Sequence, residues 1–112
     1  MTESKHTPGP WGAERAAFPV FEAYDFAIRA SVGHGPVVIG EAFGRATQTV
    51  YLPAEANARL IAAAPDLLEA LEGLLAKYTE LVSSGDCGSW DPEKESEVIA
   101  ARAAIAKAKG DA

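Results

Sequence analysis

The chain reads as an α+β protein, with a small antiparallel sheet of three to four strands, then a kinked helix and a C-terminal helix packed antiparallel to it. Three observations predict this. Between Trp11 and Ala42 the apolar residues come in short runs separated by turn formers, the pattern of a meander. Leu60, Ala64, Leu67, Leu71, Leu74, Tyr78 and Leu81 then step by four and three in strict alternation, the spacing of a packed helical seam. Finally, Asp91-Pro92-Glu93 has the form of a helix start: a capping carboxylate, a proline at the first helical position and an acid in the first turn.

Single cores usually comprise about 100 to 150 residues, so 112 residues predict one domain. Within it, 1–10 is a lead-in, 11–52 the sheet region and 53–109 the helical region. Pro8-Gly9-Pro10 fixes backbone dihedrals and removes amide donors, which predicts an extended approach to Trp11. Trp11 is the first large side chain able to anchor the chain. Strands are expected over 11–15, over 18–23 as an edge because of Pro19, over 26–31 and over 37–42. In the third, Phe26, Ile28 and Ala30 alternate with Ala27 and Arg29. Gly33-His34-Gly35-Pro36 is the turn between the last two. The stretch 43–52 reads as a loop or short edge strand.

Pro53 suits a first helical position and Glu55 the positive end of the helix dipole. Glu55 and Arg59 are four apart, within pairing reach on a helix. Pro65 lies inside the apolar pattern, where it removes one backbone hydrogen bond and crowds the carbonyl four residues back. A short helix from 53 to about 64 is therefore expected, with a longer one restarting at Pro65-Asp66 after a kink. The seam, widened by Leu68, Leu75 and Val82, is broader than a small monomer needs, which predicts a homo-oligomer. The last helix should run from Asp91 to about Lys109. Val98, Ala101, Ile105 and Ala108 form its stripe, Lys107 and Lys109 complement its dipole, and Gly110 stops it.

Charge narrows the function. Of a net −6, residues 1–52 contribute four basic and five acidic side chains, and residues 53–112 contribute six basic and eleven acidic. No stripe of Lys and Arg is present to follow a phosphate backbone, so no nucleic-acid partner is expected. No apolar run approaches the roughly 20 residues of a membrane span, and MTESKHTPGPW has no apolar segment of the signal-peptide kind. A soluble cytoplasmic protein with no membrane partner is expected.

Catalytic and metal constellations are thin. Cys87, the only cysteine, cannot form an internal disulfide; it sits in a Gly/Ser loop without a nucleophile signature, so a pairing with His34 and Asp86 is disfavoured. His6 and His34 match no zinc spacing. Gly33-x-Gly35 and Gly40-x-x-x-Gly44 match neither the dinucleotide nor the P-loop pattern. Asp66, Glu69 and Glu72, like Glu93 and Glu97, are spaced as solvated helix faces. No enzyme, cofactor or metal is expected. Asn57, Arg59 and Arg102, with Arg45 and Trp11, form a candidate ligand site, because cations beside aromatic rings suit an anionic, aromatic ligand such as a nucleotide. The competing reading has Asn57 bonded to the preceding loop and Arg59 paired with Glu55.

Three blocks carry a resemblance: His6-Thr7-Pro8-Gly9-Pro10-Trp11, the central AEANARLIAAAPDLLEALE from Ala54 to Glu72, and Ala101-Arg102-Ala103-Ala104-Ile105-Ala106-Lys107-Ala108. Together they resemble a set of small proteins encoded by tailed bacteriophages and prophages. The resemblance covers about half the chain and implies a phage or prophage accessory protein. The layout, a sheet followed by a helical pair, is also similar to phage anti-defence sponges of the Thoeris anti-defence type, which sequester cyclic nucleotide signals as oligomers. That likeness is one of architecture and context. Two functions follow: a non-enzymatic sponge that sequesters a small anionic ligand, or a structural module that oligomerises through its helices and docks on a host protein.

Overall fold

In a computed structural model, residues 5–17, 25–33, 35–46, 51–84 and 91–111 are described, with backbone alone at Arg45, Ala46 and Tyr51. The strand expected over 18–23 lies outside the described residues, as do His34, Asp86, Cys87 and Trp90. The described elements are β1 (Trp11–Arg15), β2 (Phe26–Val32), β3 (Gly35–Ala42), β4 (Arg45–Ala46), β5 (Tyr51–Leu52), α1 (Ala54–Ser83) and α2 (Ser96–Lys109), with a 3-10 turn at Pro92–Lys94. The α+β class is as the sequence predicts. Contacts divide the chain into two units, Thr7–Asp66 and Met1–His6 with Leu67–Ala112.

In the first unit, β1, β2 and β3 form an antiparallel sheet in that order. Trp11 lies opposite Ala30 and Arg15 opposite Phe26, while the β2–β3 ladder carries a bulge between Ile28 and Arg29. Gly33 takes the left-handed conformation at φ 63 in the connecting turn, where a side chain would be strained. The stretch expected as a loop or edge strand holds a second small ladder, β4 with β5. Ile28, Ala42 and Ala58 are buried together, with Trp11, Ala13 and Phe26 packed against them. The sheet therefore packs on the first turns of α1 through alanines. Fully buried Asp25 fixes the approach to β4: its Oδ1 accepts the Gly44 amide at 2.8 Å, and its carbonyl accepts the Ala16 amide at 2.8 Å.

Two expectations for α1 need correction. Rather than restarting at Pro65, the helix runs without interruption from Ala54 to Ser83 with Pro65 inside it. Only one intrahelical bond is lost at a proline, and the turns on either side keep theirs. Pro53 accordingly sits just outside the helix, where its carbonyl accepts the Asn57 amide at 2.9 Å.

The second correction concerns the seam. Leu60, Leu67, Leu74 and Leu81 are 65%, 53%, 69% and 57% exposed. The positions that pack are others: Ala54, Ala58 and Ala62 in the first unit, and Leu75 and Val82 in the second, all buried. Small residues let a helix approach a sheet closely, so alanines outrank the larger leucines as packing positions here.

In the second unit, α2 runs antiparallel to the last turns of α1. Lys109 Nζ reaches Glu72 Oε2 at 2.5 Å at one end, and the Tyr78 hydroxyl donates to the Glu95 carboxylate at the other. The helix expected from Asp91 begins later than predicted. Asp91 does cap, accepting the Glu93 amide at 3.0 Å, but the capped element is the 3-10 turn. Glu95 is extended and α2 starts at Ser96. The α2 stripe also shifts: Val98 is buried and Ala101 and Ile105 half-buried, but Ala108 is exposed and Lys109 takes its place. The lysine stem lies along the packed face while its ammonium reaches Glu72. Gly110 ends α2 in the left-handed conformation at φ 77, its amide bonding back to Ala106 and Lys107. Lys5 joins the same end, with Nζ 3.2 Å from Asp111 Oδ1 and 3.4 Å from the Gly110 carbonyl.

Candidate functional site

The described concavity in the second unit is an open groove of about 490 Å³. On the α1 side it is lined by Glu72, Leu75, Thr79 and Glu80, on the α2 side by Arg102 and Ile105. Its apolar lining comes from Leu75 and Ala76 on α1 and Ile105 on α2, with Thr79 one helical turn beyond Leu75.

Arg102 is the cation of this groove. Its Nε donates to Glu93 Oε2 at 2.6 Å, and a second guanidinium nitrogen bonds the other carboxylate oxygen, completing a two-point pair. The hydrogen bond to Glu93 raises the Arg102 pKa above the ordinary guanidinium value, the Coulomb attraction adds to it, and desolvation opposes it. Both partners are half exposed, so the pair is one that water and salt screen. Across the groove, Glu72 is engaged by Lys109. Glu80 brings a further carboxylate, so acids outnumber the guanidinium along the lining.

The other predicted ligand residues are dispersed through the first unit. Trp11 is half-buried against the Ile28–Ala42–Ala58 core, and its indole N–H donates to the Thr7 carbonyl at 3.0 Å. Its position is that of an anchor for the lead-in. Arg45 contributes backbone to β4, opposite Leu52. Asn57 is exposed on the first turn of α1. Arg59 is exposed too, and pairs with Glu55 at 3.1 Å.

A surface that sequence reasoning assigned to the core is the larger feature. Leu60, Leu67, Leu74 and Leu81 recur at seven-residue intervals along α1 and stay more than half exposed. Tyr78 and Ile61, beside them, are 38% and 42% exposed. Contiguous apolar patches beyond a few hundred Å² are uncommon on monomers and mark interaction sites. The signal was present in the sequence as the excess width of the seam.

Among the described residues, no group of three or more His, Cys, Asp or Glu side chains is placed to hold a metal ion. Nor is any described helix long and apolar enough to cross a membrane. These features define a small α+β protein distinguished by its surfaces. The chain belongs to the family described as Salmonella phage P22 protein Y8K6, whose model matches residues 1–112, and it is thus a bacteriophage protein. No curated protein and no solved structure matches it.

Proposed function

We propose that this is a phage accessory protein that works without catalysis, by docking on protein through the exposed leucine row of α1, in the cytoplasm of the infected bacterium. The observation that carries the reading is the exposure of Leu60, Leu67, Leu74 and Leu81 on one row of a single helix. Large apolar side chains held in water are stabilised when another surface covers them. A photo-crosslinking amino acid at position 74, introduced in infected cells, tests it. Protein adducts from position 74, and none from exposed Ala103 on α2, support docking; equal yields at the two positions refute it.

A second reading, sequestration of a small anionic ligand such as a nucleotide immune signal, draws on the groove beside Arg102, with Trp11, Arg45, Asn57 and Arg59 as further candidates. Glu72 and Glu80 in that groove, and the hold of Glu93 on the guanidinium, weigh against it. Native mass spectrometry of protein taken from infected cells separates the two. Excess mass released on denaturation as a nucleotide-sized species favours sequestration, and loss of that mass in Arg102→Ala locates it.

A further inference from the structure

We infer that the occupant of the α1 leucine row is a second copy of this chain, its α1 antiparallel to the first about a two-fold axis near Ala70 and Leu71. The inference rests on the docking reading above and names the partner. Residues seven apart on one helix share a row, and here the row reads equally well in both directions. With Leu67 set against the partner's Leu74, Leu60 falls against the partner's Leu81. On one side of the row exposed Ala64 then meets the partner's Tyr78, small against large, and Leu71 meets its own copy.

Charge selects the same alignment. On the other side of the row stand Arg59, Asp66, Lys77 and Glu80, all exposed. The antiparallel register brings Asp66 beside the partner's Lys77 and Arg59 beside the partner's Glu80, and the two-fold repeats each pair. A parallel, in-register pair puts this flank on opposite sides of the interface in the two copies, so neither pair can form. Isologous contacts of this kind close on themselves, as most homodimers do. Ala63, Ala70 and Gly73 along the same side leave room for the backbones to approach.

Extent is adequate as well. From Leu60 to Leu81 the row is about 32 Å long at helical rise. Its leucines with Ile61 and Tyr78 form an apolar strip, and the charged flank forms a polar rim, the arrangement of apolar core and polar edge common to protein interfaces.

Light scattering and sedimentation of the full chain at micromolar concentrations should give twice the chain mass, falling to a monomer in Leu74→Arg with an unchanged circular dichroism spectrum. Lys77→Glu should weaken the dimer at least tenfold, and Asp66→Lys combined with Lys77→Glu should restore it. In a Cys87→Ser background, Ala70→Cys should oxidise to a disulfide-linked dimer while Leu81→Cys should not, since of these two positions only 70 lies beside the two-fold axis. A monomer at tens of micromolar overturns the inference, as does equal self-linking at both positions. If the chain is monomeric and position 74 still crosslinks to another protein, the docking reading survives without the dimer. If neither occurs, both fall.

Discussion

Gly9 and Pro65 are in contact: a methyl group on the Gly9 α-carbon would lie 2.8 Å from Pro65 Cβ and 3.3 Å from Cγ. The approach of the lead-in to α1 is thus set by the absence of a side chain at one residue and the bulk of a ring at the other. Gly9 belongs to HTPGPW and Pro65 to AEANARLIAAAPDLLEALE, the two stretches that most strongly suggested a phage family. Their meeting gives the proline ring, which costs the helix one hydrogen bond, a packing role against the chain that leads to Trp11.

Gly9→Ala should therefore destabilise the protein. The obstacle is Cβ against Cβ, which no rotamer change relieves, and overpacking of this kind costs about 1 to 3 kcal/mol. Denaturant titration should show a lower midpoint with an unchanged slope. A wild-type midpoint would mean that the lead-in does not bear on Pro65.

Asp25 offers a second test. Its side chain is fully buried and accepts the buried Gly44 amide. Asp25→Ala removes the acceptor and leaves that amide without this partner, a loss of about 1 to 3 kcal/mol. Asp25→Asn keeps a carbonyl oxygen at the same place and should lose less. Thermal melts of the two variants should rank wild type, then Asn, then Ala.

Gly110 closes α2 at φ 77. A Cβ there would meet only the Lys5 side chain, at an ordinary 3.8 Å from Cδ and 4.0 Å from Nζ, so Gly110→Ala reports backbone conformation and not crowding. It should cost about 1 kcal/mol, visible as a lower melting temperature. An unchanged one would place the helix end elsewhere.

How much of this was legible in the sequence depends on which physical signal each part used. The strands 11–15, 26–31 and 37–42 were readable because alternation and turn residues are local. The C-terminal stop at Gly110 was readable for the same reason. What local pattern did not supply was the phase of α1. Two faces both look apolar, one of large leucines and one that begins with Ala54, Ala58 and Ala62. Hydrophobicity favours the first, while close approach to a sheet favours the second, and only the position of Ile28 and Ala42 decides. The Pro65 restart failed similarly, because the contact that accommodates the ring is made by a residue 56 positions away. For the candidate site, Arg102 was recognisable as bordering the α2 stripe. The pairing with Glu93 was not, because it depends on an extended residue, Glu95, inserted between the 3-10 turn and the helix.

Leu74 and Leu75 put the phase of α1 to a direct test, because they are adjacent and chemically identical. Leu75 is 7% exposed and Leu74 69% exposed. Leu75→Ala opens a cavity in the packed row and should cost about 2 to 5 kcal/mol at every protein concentration. Leu74→Ala removes a side chain that touches little within its own chain, so at nanomolar concentration it should change stability by no more than about 0.5 kcal/mol. At higher concentration the second variant should lose whatever stability self-association adds, which mass action makes dependent on concentration. Denaturation of both variants over a thousandfold range of concentration distinguishes the two rows. If Leu74→Ala proved the more costly at every concentration, the leucine row would be the core after all, and its exposure, with the docking surface built on it, would have to be abandoned.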